Sequence, residues 1–256
     1  VTITANAPAA TAPDADSPDT VFANWKTDND LTINGEATGS EVNGTAVLSD
    51  PTTNDKRGMR NNDYLPTVSI VDPLLMKTMP KPVLAAVGFD ALCHNMEAFL
   101  SRKRQPFSEI MALRGMELSV KFLPRVYENP DDDEAWEAVT LASTFGGMSI
   151  YTSSVVAPHG IEHPASGLRD IVHGCGLAAL TPIVYEHTLS AAPEKFRTIA
   201  KLLGGKKAAD CPDAIRRFLE RIDLNCTLSE QGVQEEDIDW MTENCFQVSA
   251  MMLQNH

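Results

Sequence analysis

Residues 88–103 read GFDALCHNMEAFLSRK. Together with the preceding residues from Pro82, this stretch carries apolar side chains at Leu84, Val87, Leu92, Met96, Phe99 and Leu100. That is helical spacing, and it predicts a helix over 82–102. Pro82 falls near the first turn, where its missing N–H leaves no bond unmade. Asp90 and His94 are four residues apart, so on a helix they project from one face.

Toward the C-terminus the pattern stays helical, with further helices expected near 108–127, 133–157, 174–189, 193–204, 211–222 and 235–253. Asp131, Asp132 and Asp133 stand at the start of one of them, where carboxylates favour the positive end of the helix dipole. Toward the N-terminus the period changes. GTAVLSD reads as a strand, DPTTNDK as a turn, KRGMR as a second strand and TVSIVDP as a third. Residues 1–36 are rich in Ala, Thr, Pro and Asp, with Lys26 the single basic residue. They read as poorly ordered or irregular, although VTIT and LTI are β-prone. The expected fold class is therefore mainly α, with a small β region on the N-terminal side. The boundary is placed between a segment 1–75 and a helical domain 76–256.

Two further histidine motifs accompany the first stretch. APHGIEHP holds His159 and His163, again four residues apart, and IVHGCG holds His173 ten residues later. Only His187 and the terminal His256 lie outside this set. One carboxylate with several imidazoles makes a mixed oxygen and nitrogen donor set suited to Fe(II) or Zn(II). A divalent cation held by one carboxylate and three neutral imidazoles keeps a residual positive charge, which can polarise a carbonyl or lower the pKa of a bound alcohol. The arrangement is not that of a zinc protease of H-E-x-x-H type, because Glu162 precedes the second histidine instead of following the first. On spacing alone, each pair is also compatible with an ordinary surface hydrogen bond.

Bulk properties narrow the function classes. The 256 residues can bury a substantial core, and the formal net charge of −14 opposes nucleic-acid and anionic-membrane partners. No apolar run is read as a membrane span, and no basic-then-apolar leader is seen at the N-terminus. Cys93, Cys175, Cys211, Cys226 and Cys245 form no C-x-x-C pair and read as reduced, mostly buried thiols. A cytoplasmic location is expected.

The motifs ATGSEVNGTAVLSD, TVSIVDPLL, GFDALCHNMEAFLSRK, PHGIEHPASG and IVHGCGLAALTPIV, in this order and spacing, resemble the iron-containing (group III) alcohol dehydrogenase family. The resemblance runs from about Ala37 to about Asn255. It implies a dehydroquinate-synthase-like helical domain whose metal ligands are Asp90, His94, His159 and His173. It places His163 beside metal and substrate, as an aid to binding or proton transfer. It assigns Thr38, Gly39 and Lys56 to contacts with NAD or NADP, and it matches Glu97, which is read as a structural ion pair. The family's Gly-rich phosphate loop of GGGS type is not found. The segment 1–75 is accordingly expected to be a remnant of the nucleotide-binding domain, and the chain a fragment or a truncated paralogue.

What the resemblance implies is a metal-dependent oxidoreductase. It would interconvert a small alcohol and its aldehyde or ketone with NAD(P), using Fe(II) or else Zn(II), near Phe145, Tyr151 and a His159–His163 loop. Two alternatives stand beside it. One is a zinc polyol dehydrogenase of the same fold, against which the third histidine, His173, argues. The other is a non-catalytic metal-binding or oligomerisation module. A homo-oligomer is expected, because an orphaned sheet edge tends to recruit another chain.

Overall fold

The computed structural model describes residues 45–60, 66, 68–250 and 252–253. Among them the chain forms one hairpin and eight α-helices. Strands β1 (Thr45–Asp50) and β2 (Asp55–Arg60) pair antiparallel, with Val47 opposite Gly58 and Ser49 opposite Lys56. The helices are α1 (Lys81–Leu100), α2 (Pro106–Glu128), α3 (Asp133–Ser153), α4 (Ala157–Arg169), α5 (His173–Thr188), α6 (Pro193–Leu202), α7 (Cys211–Arg221) and α8 (Ile238–Val248). The mainly helical class with a small β region is thus the observed one. The β-prone stretches VTIT and LTI, and the proposed cofactor residues Thr38 and Gly39, lie outside the described residues.

Helix α1 is the axis of the core. From Leu84 to Leu100 every residue except Val87 and Gly88 is buried. A helix apolar on nearly all sides has to be surrounded, and α2, α3 and α5 pack around it. The expectation that no run reaches the size of a membrane span needs amending here. Lys81–Leu100 is long and apolar enough by composition, but 83% of the qualifying window is buried inside the protein, which makes it a core helix.

Local chemistry sets the helix ends. Asp132 caps α3, its carboxylate accepting the Ala135 N–H at 3.0 Å. Ser108 closes the start of α2, its hydroxyl accepting the Gln105 N–H at 3.0 Å. Two expectations fail at this level. The helix expected to run to 157 stops at Ser153, because Ser154 adopts φ 63°, and a new helix starts at Ala157 with Pro158 in its first turn. His159 and His163 therefore lie on a helix, not in a loop. The third strand does not appear among the described residues: residues 68–72 are not in a strand, and Val68 and Ile70 are 69% and 89% exposed. Without a partner strand among the described residues, an apolar run gains neither hydrogen bonds nor burial.

The hairpin is fastened to the helical body. β2 packs on α4 and α8, and Asn244 donates to Asp55 Oδ1 at 2.7 Å. At Gly167 of α4, a Cβ would stand 2.1 Å from the Asn54 carbonyl oxygen. Only glycine lets the hairpin turn approach the helix this closely.

Candidate metal centre

Three helices bring the titratable side chains to one place. α1 supplies Asp90, His94 and Glu97 from one face. α4 supplies His159, Glu162 and His163. α5 supplies His173 as its first residue. The position of His173 depends on Gly174, where a Cβ would lie 2.2 Å from the Ala86 carbonyl oxygen of α1. The bare glycine lets the start of α5 rest directly on the α1 backbone.

Asp90 Oδ1 is the focus. The Nε2 atoms of His159, His94 and His173 lie 3.2, 3.3 and 3.7 Å from it. The rings of His94 and His159 stack with centroids 4.9 Å apart, and His173 meets His159 edge-on at 5.1 Å. Donor atoms of Asp90, His159 and His173 all fall within 4.8 Å of one another. Asp90 Oδ1 and His159 Nε2 are buried without a hydrogen-bond partner among the described residues. Buried polar atoms are rarely left so, since an unmade bond costs about 1–3 kcal/mol. The spacings of Asp90, His159 and His173 approach those around an ion, and His94 stands 3.3 Å from Asp90 but outside that mutual group. Ligand atoms 2.0–2.2 Å from a tetrahedral cation stand roughly 3.3–3.6 Å apart. The residues present therefore suit a divalent metal bound through one carboxylate oxygen and imidazole Nε2 atoms.

A second donor group, Glu162, His163 and His173, is equally tight. It suits a cation less well, because the Lys56 ammonium lies 3.9 Å from Glu162 Oε2 and repels positive charge. Lys56, expected from the resemblance to touch a cofactor, is a buried residue of β2 whose described ion pair is this one. His163 joins the cluster from the side. Its ring centroid is 5.8 Å from that of His173 and 6.1 Å from that of His159, and its Nδ1 is buried without a partner among the described residues.

Burial and charge set the protonation states of the metal-free cluster. Burial alone would raise Asp90, but the surrounding imidazoles of His94, His159 and His173 hold it well below the usual carboxylate range. Burial pushes His94 down to about 4 and His163 well below its ordinary value. His159 goes the other way: Glu97 and Asp90 overcome its burial and push it up to about 10. Glu162 is lowered to about 2 against its burial, chiefly by His173 and Lys56.

Sequence reasoning passed over Glu162, using it only to set aside a protease motif, and treated Glu97 as an ion pair. In the structure Glu97 accepts from His159 Nδ1 at 2.7 Å and from the Val156 N–H at 2.7 Å, while Glu162 Oε2 lies 2.5 Å from His173 Nδ1. The ion pair read for Glu97 is present, with His159, and its place seven residues after Asp90 puts it on the same helix face. The pairing of Glu162 with His173 crosses two helices, and no spacing encodes it. Phe145 packs against the core, and Tyr151 is half-buried near the end of α3.

Known proteins align with this arrangement. The model of the "Fe-containing alcohol dehydrogenase family, C-terminal" matches residues 84–256. The NAD-dependent methanol dehydrogenase of Bacillus methanolicus is 32% identical over 218 residues, covering 82% of this chain and 57% of that protein. The 1,3-propanediol dehydrogenase of Citrobacter freundii is 34% identical over 214 residues, covering 80% of this chain and 55% of that protein. Among solved structures, an archaeal halo-thermophilic alcohol dehydrogenase from a Red Sea brine pool superposes with a TM-score of 0.80 at 33% identity, over 86% of this chain and 58% of that one. The chain spans little more than half the length of the curated relatives it matches. With its helical fold, its Asp90-centred histidine cluster and a family match over most of its length, the chain belongs to the Fe-containing alcohol dehydrogenase family.

Proposed function

We propose that this chain is the metal-binding part of an oxidoreductase that interconverts a small alcohol and its aldehyde or ketone with NAD or NADP. The observation that carries this reading is the convergence of three imidazole Nε2 atoms, from three helices, on the orphaned Asp90 Oδ1. Asp90, His94, His159 and His173 would hold the ion, Fe(II) or Zn(II). The ion's charge would polarise the substrate's C–O group for hydride transfer. Relatives named for methanol and 1,3-propanediol support a short alcohol as substrate.

The protein side of the chemistry follows from the cluster. Asp90 stays ionised and anchors the cation. His94 and His163 are neutral near pH 7, because burial disfavours their charged forms. A neutral His163 beside the ligand set, with an unpartnered Nδ1, can accept a hydrogen bond from a substrate hydroxyl and help carry its proton away. Burial of most of the set, with His159 only 3% exposed and His173 half-buried, limits bulk water and strengthens the charge interactions inside.

The test is nicotinamide reduction by the chain loaded with Fe(II) or Zn(II), across a panel of short alcohols. Turnover that disappears in Asp90→Asn supports the reading; turnover unaffected by that substitution contradicts it. A second reading is favoured by one finding, the coverage of little more than half of each relative. On it, the chain by itself is a non-catalytic metal-binding module. Tight metal binding without turnover of any alcohol would select that reading.

A further inference from the structure

We infer that Glu97 and Glu162 are positioning residues for the metal centre: each fixes the tautomer and aim of one ligand imidazole, and Lys56 braces Glu162 from the hairpin. This rests on the metal-site reading above and extends it beyond the ligand set.

The two carboxylates share one design. Both are wholly buried, and each uses one oxygen on the Nδ1 of a ligand histidine and the other on a second fixed group. Glu97 Oε1 is 2.7 Å from His159 Nδ1, and its Oε2 accepts the N–H of Val156, the residue just before α4. Glu162 Oε2 is 2.5 Å from His173 Nδ1, an ion-pair contact without hydrogen-bond alignment, and its Oε1 accepts the Ser166 hydroxyl. An Nδ1 facing a carboxylate keeps its proton. The lone pair is then left on Nε2, and these are the atoms 3.2 and 3.7 Å from Asp90 Oδ1. A carboxylate behind a ligand imidazole also raises its basicity toward the metal.

Charge points the same way. With neutral imidazoles, Asp90, Glu97 and Glu162 contribute three buried negative charges and Lys56 one positive charge. The remainder of two negative charges matches a divalent cation. Lys56, 3.9 Å from Glu162 Oε2, keeps that carboxylate on His173 and away from the ion. The ligand set is thereby tied to β2, the strand that carries Lys56.

The experiment is a Zn(II) titration of the full chain against a competing chelator, together with the visible spectrum of the Co(II)-loaded protein. Glu97→Gln and Glu162→Gln are compared with the unsubstituted chain. The expected result is a 10- to 100-fold weaker Zn(II) affinity in each variant, with a changed Co(II) spectrum, because the ligand field changes when an imidazole loses its partner. Purely structural carboxylates would lower stability and leave the Co(II) spectrum as it was. Affinities within twofold of the unsubstituted chain, with an unchanged spectrum, would overturn the inference. If either Gln variant fails to fold, Glu97→Asp or Glu162→Asp replaces it, keeping the charge but falling one methylene short. Binding weakened at least tenfold is then expected, and unweakened binding overturns the inference. An unsubstituted chain that binds neither Zn(II) nor Co(II) would instead bring down the metal-site reading itself, and this inference with it.

Discussion

The proposed division of labour among the histidines rests on the difference between His173 and His163. His173 Nε2 faces Asp90 Oδ1, whereas the His163 ring stands beside the set with an unpartnered Nδ1. His173→Ala should therefore lose most bound metal, and His163→Ala should retain it while lowering turnover about 10²-fold or more if it assists proton transfer. Metal content by elemental analysis of both variants checks this; equal loss from both would refute the division. His94 and His159 set a pH dependence in the metal-free chain. Folded His94 titrates at about 4 against an ordinary 6.5, so the unfolded chain binds the extra proton between those values. Stability from this group is present above pH 6.5 and is lost as pH falls toward 4. His159 is raised to about 10, so its contribution is full below pH 6.5 and is lost as pH rises through 10. The denaturation midpoint in a chelator should therefore peak near pH 6.5. Bound metal should remove the alkaline decline, since a ligating imidazole carries no proton there. A midpoint still climbing at pH 9 without metal would contradict this assignment.

At the scale of elements, the contact between α1 and α5 is the most sensitive joint. Gly174→Ala would place a methyl 2.2 Å from the Ala86 carbonyl oxygen, and neither backbone can give way without moving His173. We expect a loss of about 1–3 kcal/mol in stability and a measurable drop in metal affinity, both read by metal-dependent thermal melts. Unchanged melts with and without metal would show that α5 is not seated as described. What the sequence made legible also divides at this scale. α1 announced itself through Leu92, Met96, Phe99 and Leu100, and the Asp90–His94 pair followed from helical geometry. The break between α3 and α4 did not, because Ser154 at positive φ leaves no compositional mark, although Pro158 was a usable start signal. TVSIVDP shows the opposite failure. Its β propensity is genuine, but propensity is expressed only where a neighbouring strand exists. The Glu162–His173 and Lys56–Glu162 contacts were illegible because they join separate elements, and only the packed fold brings them together.

At the scale of the whole molecule, the chain gathers its chemistry at the meeting of α1, α4, α5 and the hairpin. Its N-terminal flank leaves Val68, Ile70, Leu74 and Leu75 exposed. Among the described residues the two-stranded sheet has unpaired edges, and with these exposed side chains they are the basis for expecting self-association. Light scattering should show a dimer or larger species at high concentration, and a clean monomer there would count against it. Metal binding should stabilise the fold by mass action, by about 2.7 kcal/mol at a hundredfold excess over Kd. On the proposed reading one cation sits among Asp90, His94, His159 and His173. X-ray absorption at the metal edge of the Zn(II)-loaded chain tests it most directly. The expected spectrum has a first shell of nitrogen and oxygen at about 2.0–2.2 Å, with the outer-shell scattering of three imidazoles. A sulfur shell at about 2.3 Å, or scattering from fewer than two imidazoles, would contradict the account.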